Sequence, residues 1–289
     1  MILITGATGY IGKDLVRRFE PDEIKLLTRK KVNLPFEIVK GSVENKKSVK
    51  SAMKNVDYVI HLAAGGNHFA SFSELFEVNV KGTQNVIEAA AESNVNRIVH
   101  MSSMAVAMPV KTSYGETKKL AEDIVKKHWN DLDISILRAP LVYDLDRLKR
   151  LRRIFMLPMT TKNFKVHLVY KKSLVDAIVN SLKFGKSEIY NIADKNPINF
   201  HDFHRAVLNT NLKPLYLPHF LIGFPITFSY LVKHSFNLLG LNPPITPEFL
   251  RHLFQDREFD IKKSAEYLRY KPVDTLNTVK ELYRNKTSK

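Results

Sequence analysis

Met1-Ile2-Leu3-Ile4-Thr5-Gly6-Ala7-Thr8-Gly9-Tyr10-Ile11-Gly12 decides the fold. Ile2, Leu3 and Ile4 form a short apolar run of the kind that makes a buried strand. An amphipathic helical pattern follows over residues 11–19, so the three glycines stand where a strand must turn into a helix. Gly6 suits the tight turn, and Gly9 lets backbone approach a bound anion with no Cβ in the way. Gly12 is expected to let the helix pack close to the sheet. The free N–H groups and positive dipole end at a helix start then face the anion. This context predicts a cradle for the pyrophosphate of a dinucleotide, with Thr8, Tyr10 and Ile11 in the same turn.

Outward from this stretch, apolar strand patterns alternate with helical ones through the first half of the chain. Strands are expected at 1–4, 24–27, 37–39, 58–61, 97–101 and 134–137, and helices at 11–19, 46–53, 72–92 and 114–129. Short apolar runs separated by helices predict an α/β fold, a doubly wound parallel Rossmann sheet covered on both faces. Beyond Asp144 the alternation breaks, and most of the prolines lie after Asp194. We therefore expect a dinucleotide-binding domain over 1–145 and 166–193. Residues 146–165 and 194–289 should form a smaller, mostly helical C-terminal substrate lobe.

The 289 residues are 44% hydrophobic, enough for a substantial core. The chain has no cysteine, which excludes disulfides, thiolate metal sites and cysteine nucleophiles; no metal site is expected. No secretory leader is legible, so the expected location is cytoplasmic. The charge is +16, from 45 Lys and Arg against 29 Asp and Glu. It favours anionic partners without choosing among them. No zinc-finger or RNA-binding pattern accompanies it, so nucleic acid is not expected.

The spacing Gly-x-x-Gly-x-x-Gly resembles the extended short-chain dehydrogenase/reductase family, also called the NAD-dependent epimerase/dehydratase family. Further segments fit in the same order: Asp57 to Ala64, Asn79 to Asn85, Ser102-Ser103, Tyr114-Gly115-Glu116-Thr117-Lys118 and Leu137 to Tyr143. The resemblance covers residues 1–144 and continues weakly through Tyr190-Asn191-Ile192-Ala193 and Phe259 to Lys262. It implies hydride transfer to or from a nicotinamide cofactor, with Ser103, Tyr114 and Lys118 catalytic. The cofactor contacts it implies are Leu62, Ala63, Ala64, Asn79, Met101, Pro140, Leu141 and Val142, with Ser42 and Val43 near adenine.

Tyr114 and Lys118 are four apart on a helical pattern and project from one face. A phenol, with a reference pKa near ~10, is a poor base at neutral pH. A nearby ammonium and an oxidised nicotinamide are expected to lower it, making Tyr114 the proton exchanger. Ser103 is expected to hydrogen-bond the substrate oxygen, and Ser102 is a weaker substrate candidate. Asn79 reads equally as a locally bonded helix residue or as part of an active-site water network, and His61 reads as structural. Several positions depart from the family pattern: only ten residues separate Ser103 from Tyr114, Ser42 stands where Asp often follows Gly, Asp144 where Gly is usual, and Ser173 where Asp often begins a helix.

An NAD-selective site usually ends its second strand with an acid for the ribose 2′-OH. Here Leu27 is followed by Thr28-Arg29-Lys30-Lys31, and Arg29 suits a 2′-phosphate, so NADP is expected in preference to NAD.

Three functions stay open: an enzyme of nucleotide-sugar metabolism, a hydroxysteroid-dehydrogenase-like reductase of a lipid, and a non-enzymatic redox sensor. For the first, the basic stretch over 147–183, ten Lys or Arg against one acid, would supply Arg152, Arg153, Lys162 and Lys165 to an anionic substrate. For the second, residues 214–232 carry no formal charge and put Phe220, Phe224, Phe228 and Leu231 on one helical face. Pro218, Gly223 and Pro225 interrupt that segment, so a buried or interfacial helix is expected, with peripheral membrane contact as the alternative. The Ser103, Tyr114 and Lys118 set argues against the sensor. The resemblance also implies a homodimer through the helices at 72–92 and 114–129.

Overall fold

The computed structural model describes residues 1–66, 70–157, 159–209, 214–218 and 254–287. The chain begins as strand β1 (Ile2–Thr5), helix α1 (Gly12–Leu15) with a 3-10 turn (Val16–Arg18), β2 (Ile24–Thr28), β3 (Glu37–Lys40), α2 (Lys46–Ala52) and β4 (Tyr58–His61). Helix α3 (Phe72–Phe76) passes through a π-helical turn (Glu77–Lys81) into α4 (Gly82–Glu92). Then come β5 (Arg97–Ser103), a 3-10 turn (Met104–Ala107), α5 (Ser113–Lys127) and β6 (Ile134–Ala139).

The later half holds β7 (Leu141–Tyr143), α6 (Leu145–Phe155), β8 (Met159–Thr160), β9 (Lys165–Val166), β10 (Leu168–Tyr170), α7 (Lys171–Phe184) and β11 (Ile189–Asn191). It continues with β12 (Ile198–Asn199), α8 (Phe200–Leu208), β13 (Tyr216–Leu217), α9 (Lys262–Tyr267) and α10 (Thr275–Thr287).

Seven strands form one parallel sheet in the order β11-β6-β5-β4-β1-β2-β3. This is the doubly wound sheet that the alternation predicts. Within each strand, neighbouring residues feed opposite faces. Ile4 joins a core with Leu15 of α1 and Leu174 and Ile178 of α7. Leu3 joins the other core, with Val49 of α2, Val86 and Ile87 of α4 and Val125 of α5. The order reverses between β1 and β4, where Thr5 pairs with Leu27 on one side and His61 on the other. Chains leaving β1 and β4 turn to opposite faces there and open a crevice at the strand ends.

A third core lies outside the sheet. Leu148 and Phe155 of α6, Phe203 and Val207 of α8 and Val279 of α10 pack with Phe164 and Leu168. Phe155 meets Phe203 edge-on at 5.9 Å, and Phe164 stacks on Phe200 at 4.7 Å. This core is joined to the sheet by the parallel pair β7–β10, two strands absent from the sequence reading. Each is three residues long, too short for periodicity to distinguish from loop.

Two expectations change. The helix expected over 11–19 is α1 of four residues plus the 3-10 turn. The single helix expected over 72–92 is two α segments around the π-helical turn. Phe220, Phe224, Phe228 and Leu231 lie outside the described residues. Among the described residues no helix is long and apolar enough to cross a membrane.

Candidate active site

The glycine turn occupies the crevice at β1. Gly6 has φ +74°, a left-handed value that glycine adopts without strain. A Cβ there would stand 2.7 Å from the Leu62 carbonyl carbon and the Ala63 nitrogen, so the β4 loop crosses directly over it. A Cβ on Gly9 would press the Gly6 carbonyl oxygen at 3.1 Å. The Gly12 role differs from expectation. Its missing side chain makes room for Gly6 and Ala7 of the turn itself, with Ala7 Cα 2.7 Å from where a Cβ would be. Close packing is thus helix on turn, rather than helix on sheet.

Beside the turn lies a cleft of about 540 Å³. Gly6, Gly9, Tyr10, Ile11 and Gly12 line one wall, and Leu62, Ala64 and Gly66 continue it. Met101, Ser103, Tyr114, Pro140, Leu141 and Val142 line its floor. Arg147, Arg257 and Phe259 add to the lining. A dinucleotide fits this shape, because backbone without Cβ atoms faces the crevice where a pyrophosphate needs N–H donors.

Tyr114 enters from the first turn of α5. Thr112 caps that helix by accepting the Gly115 N–H at 3.3 Å. Gly115 matters here too, since a Cβ would approach the Ala105 carbonyl to 3.0 Å. Glycine thus seats α5 against the turn that follows Ser103. Tyr114 is half-buried at the cleft and hydrogen-bonded by Ser103. Burial pushes its pKa up, and the Ser103 bond pulls it part of the way back. The expected lowering by an adjacent ammonium is overridden. Desolvation of a phenolate is the larger effect, and the Lys118 ammonium points to the Met101 carbonyl, which it donates to at 2.8 Å. Burial pushes Lys118 down to about 8, against the pull of Glu122 one helical turn on.

Asn79 sits in the π-helical turn, which swings its amide inward. Its Oδ1 accepts the Gly65 N–H at 2.8 Å, and its Nδ2 donates to Thr117 Oγ1 at 3.0 Å. Asn79 therefore ties the β4 loop to α5, a role outside the two the sequence left open. His61 is a structural residue, as expected. Thr83 donates to the Asn79 carbonyl at 2.7 Å, so it accepts from His61 Nε2 at 3.0 Å. His61 Nδ1 then accepts from Thr5 at 2.7 Å. Burial holds this imidazole neutral, with its pKa pushed down to about 3.

Several anticipated contacts lie elsewhere. Ser102 borders the cleft, but its hydroxyl donates to the buried Glu122 carboxylate at 2.6 Å, which also takes two bonds from Arg138 at 2.8 and 2.5 Å. Arg152, Arg153 and Lys165 do not line the cleft: the two arginines are exposed near the end of α6, and Lys165 pairs with Glu258 at 2.8 Å. The cations at the cleft are Arg147 and Arg257 instead. Arg147 donates to the Val142 carbonyl at 2.8 Å and lies 4.6 Å from the Tyr10 ring. Arg257 stands 74 residues beyond the end of the basic stretch, and nothing local in its sequence marks it. Val43 is buried against Gly82, and Arg29 is exposed at the end of β2, 3.6 Å from Glu44. Thr8, Ser42 and Ala63 flank the same crevice loops without lining the cleft.

Asp144, where the family pattern has Gly, has a clear task. It caps α6 by accepting the Arg147 N–H at 2.8 Å and pairs with Lys171, which also meets Asp14 of α1 at 2.6 Å. This pins α6 and α7 to the glycine turn.

Residues 2–144 match the model of the NAD dependent epimerase/dehydratase family. The chain is 27% identical over 250 residues to an N-acetyl-alpha-D-glucosaminyl-diphospho-ditrans,octacis-undecaprenol 4-epimerase of Escherichia coli O157:H7, covering 75% of each. It is 24% identical over 332 aligned positions to a 3-beta-hydroxysteroid dehydrogenase of Mycolicibacterium neoaurum, covering 95% of this chain and 87% of the relative. A short-chain dehydrogenase/reductase superfamily protein from Agrobacterium tumefaciens, solved with bound NAD, has the same fold: TM-score 0.76, 19% identity, 100% of this chain and 98% of that one.

Proposed function

Through residues 2–144 the chain belongs to the NAD-dependent epimerase/dehydratase family, and we propose that it moves a hydride between NAD(P) and a secondary alcohol or ketone of a diphosphate-linked sugar, foremost a nucleotide sugar. The observation that carries this reading is the cleft of about 540 Å³, lined together by the glycine turn, Ser103, Tyr114 and two arginines. When bound, the nicotinamide gives or takes the hydride. The chain's own groups do the rest. The Tyr114 hydroxyl exchanges the proton of the substrate oxygen, and Ser103 donates a hydrogen bond to that oxygen. Lys118, held by the Met101 carbonyl, supplies the positive charge behind them. Gly6, Gly9 and Gly12 seat the pyrophosphate, and Asn79 fixes the loop bearing Leu62 to Ala64.

Arg147 and Arg257 support an anionic substrate, because guanidinium groups bind diphosphate oxygens in pairs. The undecaprenyl-diphosphate-linked substrate named for the Escherichia coli relative fits the same chemistry. A lipid alcohol or ketone is the second reading. The apolar floor residues Met104, Ala105, Met108 and Leu141 favour it, as does the 3-beta-hydroxysteroid dehydrogenase relative. We further propose that Arg29 favours NADP and that the chain dimerises through α4 and α5, where Leu120 stands 39% exposed.

The test is a panel of UDP-sugars, polyprenyl-diphosphate sugars and hydroxysteroids, each assayed with NAD and NADP. Turnover of a diphosphate-linked sugar is expected. An epimerase shows product without net change in nicotinamide absorbance, whereas a reductase consumes reduced cofactor stoichiometrically. Turnover confined to the hydroxysteroids would replace the first reading with the second.

A further inference from the structure

Five of the ten large hydrophobic side chains exposed among the described residues lie at one place: Ile154, Met156 and Leu157 at the end of α6, and Leu215 and Leu217 on β13. The fold brings them together. β13 pairs with β8, Tyr216 against Met159 and Leu217 against Thr160, and Met159 N–H donates to the Leu215 carbonyl at 3.0 Å. Met156, Leu157 and Leu215 are each over 60% exposed. Scattered apolar residues need no explanation, but a group of this kind at one tip does.

The flank of the tip is cationic. Arg150, Arg152 and Arg153 are exposed on α6, and Lys162 follows β8. Among the described residues none of these four has a carboxylate partner within ion-pair distance. The acid on α6, Asp146, lies at its N-terminal end beside Lys149 at 3.8 Å. Apolar side chains at a tip with unpaired cations behind them match the layering of a bilayer surface, acyl chains beneath anionic headgroups.

We propose that the end of α6 and the β8–β13 pair dock on an anionic lipid bilayer. Ile154, Met156, Leu157, Leu215 and Leu217 enter the headgroup boundary, and the arginines hold the phosphates. The same helix reaches the cleft. Arg147 is in its first turn, and eleven residues at 1.5 Å each give a length of about 16 Å. Resting on the hydride-transfer reading, this places the mouth of the cleft within reach of a sugar or alcohol anchored in the membrane. The docking itself does not depend on that reading.

The test is sedimentation of the full chain with phosphatidylcholine vesicles and with phosphatidylcholine–phosphatidylglycerol vesicles at physiological salt, with NADPH binding and oligomeric mass measured on each variant. The wild type is expected to sediment with the mixed vesicles alone. Leu215→Ser should weaken this about tenfold, the scale of one lost apolar insertion, and Met156→Ser with Leu157→Ser should weaken it further. Arg150→Glu with Arg153→Glu should weaken it about tenfold. Lys47→Glu with Lys54→Glu makes the same charge change on and beside α2 and should cost less than about twofold, since the Debye length is about 8 Å. Cofactor binding should persist in all of them, which separates docking from the catalytic reading. Failure of the wild type to bind, or equal loss in the α2 control, overturns the proposal. So does a fall in oligomeric mass in the serine variants, which would assign the patch to a second copy of the chain.

Discussion

Part of the cleft is lined by backbone and part by side chains. Gly6, Gly9 and Gly12 leave main-chain atoms facing the crevice, and a Cβ at Gly6 or Gly12 would overlap main-chain atoms nearby. Arg147, Arg257 and Phe259 complete the lining from α6 and from the segment before α9, Arg147 beside the Tyr10 ring. A backbone wall needs a rigid strand–turn–helix and has little freedom in sequence. A side-chain wall needs only that some residue of the right chemistry arrive from somewhere. The first can be kept while the second changes, which lets one fold serve many substrates.

The sharpest way to break this comparison is at the floor that both walls share. Tyr114→Phe removes the hydroxyl proposed to exchange the proton and keeps the ring. We expect kcat to fall about 10³-fold, within the usual range for general acid–base groups. NADPH affinity should stay close to that of the wild type, because the glycine wall is untouched. A variant that turns over at wild-type rates would falsify the Tyr114 assignment.

Lys118 gives the next largest effect, and it is a matter of stability. Its pKa in the folded chain is about 8, below the free value of 10.5. Below pH 8 it is charged in both states, and the cost of burying the charge is fully present. Between pH 8 and 10.5 the folded chain releases the proton first, so the unfolded state binds more protons and stability rises with pH. The gain is up to about 3 kcal/mol. Tyr114 opposes it above pH 10, because its raised pKa keeps the folded phenol protonated while the unfolded one ionises. Urea unfolding of the cofactor-free protein should show a rise from pH 8 to 10 that Lys118→Met flattens. An equal rise in that variant would mean the ammonium is better solvated than its burial implies.

The walls themselves separate next. Gly6→Ala forces an alanine to φ +74° and against the loop after β4. It should destabilise the fold by about 2 kcal/mol and weaken every nicotinamide nucleotide alike. Arg147→Met should leave cofactor affinity unchanged and raise KM about tenfold for diphosphate substrates, while sparing uncharged ones. Titration calorimetry and steady-state kinetics together read both. If Arg147→Met weakened cofactor instead, the division into two walls would fail.

The same division explains what the sequence made legible. The glycine turn, Ser103, Tyr114 and Lys118 are local patterns whose spacing is imposed by one turn or one helix face. They could be read before any tertiary contact was known. Asn79 was legible as a residue and not as a tie, because its amide meets Gly65 and Thr117 only once the π-helical turn rotates it inward. Arg257 lies in a segment without periodicity and reaches the cleft by tertiary placement alone. Arg152 and Arg153 belong to a run of cations, but helix phase and the length of α6 carry them past the cleft, leaving Arg147 there. The strands β7 and β10 were too short to read, although they join the two halves.

The smallest expected effect tests whether the glycine wall also selects its cofactor. Arg29 stands at the end of β2, where a ribose 2′-group of a bound dinucleotide would lie. Its side chain is 73% exposed and pairs loosely with Glu44 at 3.6 Å, so solvent screens it heavily. A 2′-phosphate carries more charge than one carboxylate and should displace Glu44 from the guanidinium. NADPH should therefore bind more tightly than NADH, and Arg29→Ala should reduce that preference by about threefold to tenfold, with NADH nearly unaffected. Glu44→Gln should move the ratio the other way, since the arginine is then released to the phosphate. Both shifts should shrink as salt is raised, because the site is open to water. Tighter NADH binding by the wild type would show that the acid missing from the end of β2 is not what sets the choice, and that Glu44, beside Arg29, serves the ribose hydroxyl in its place.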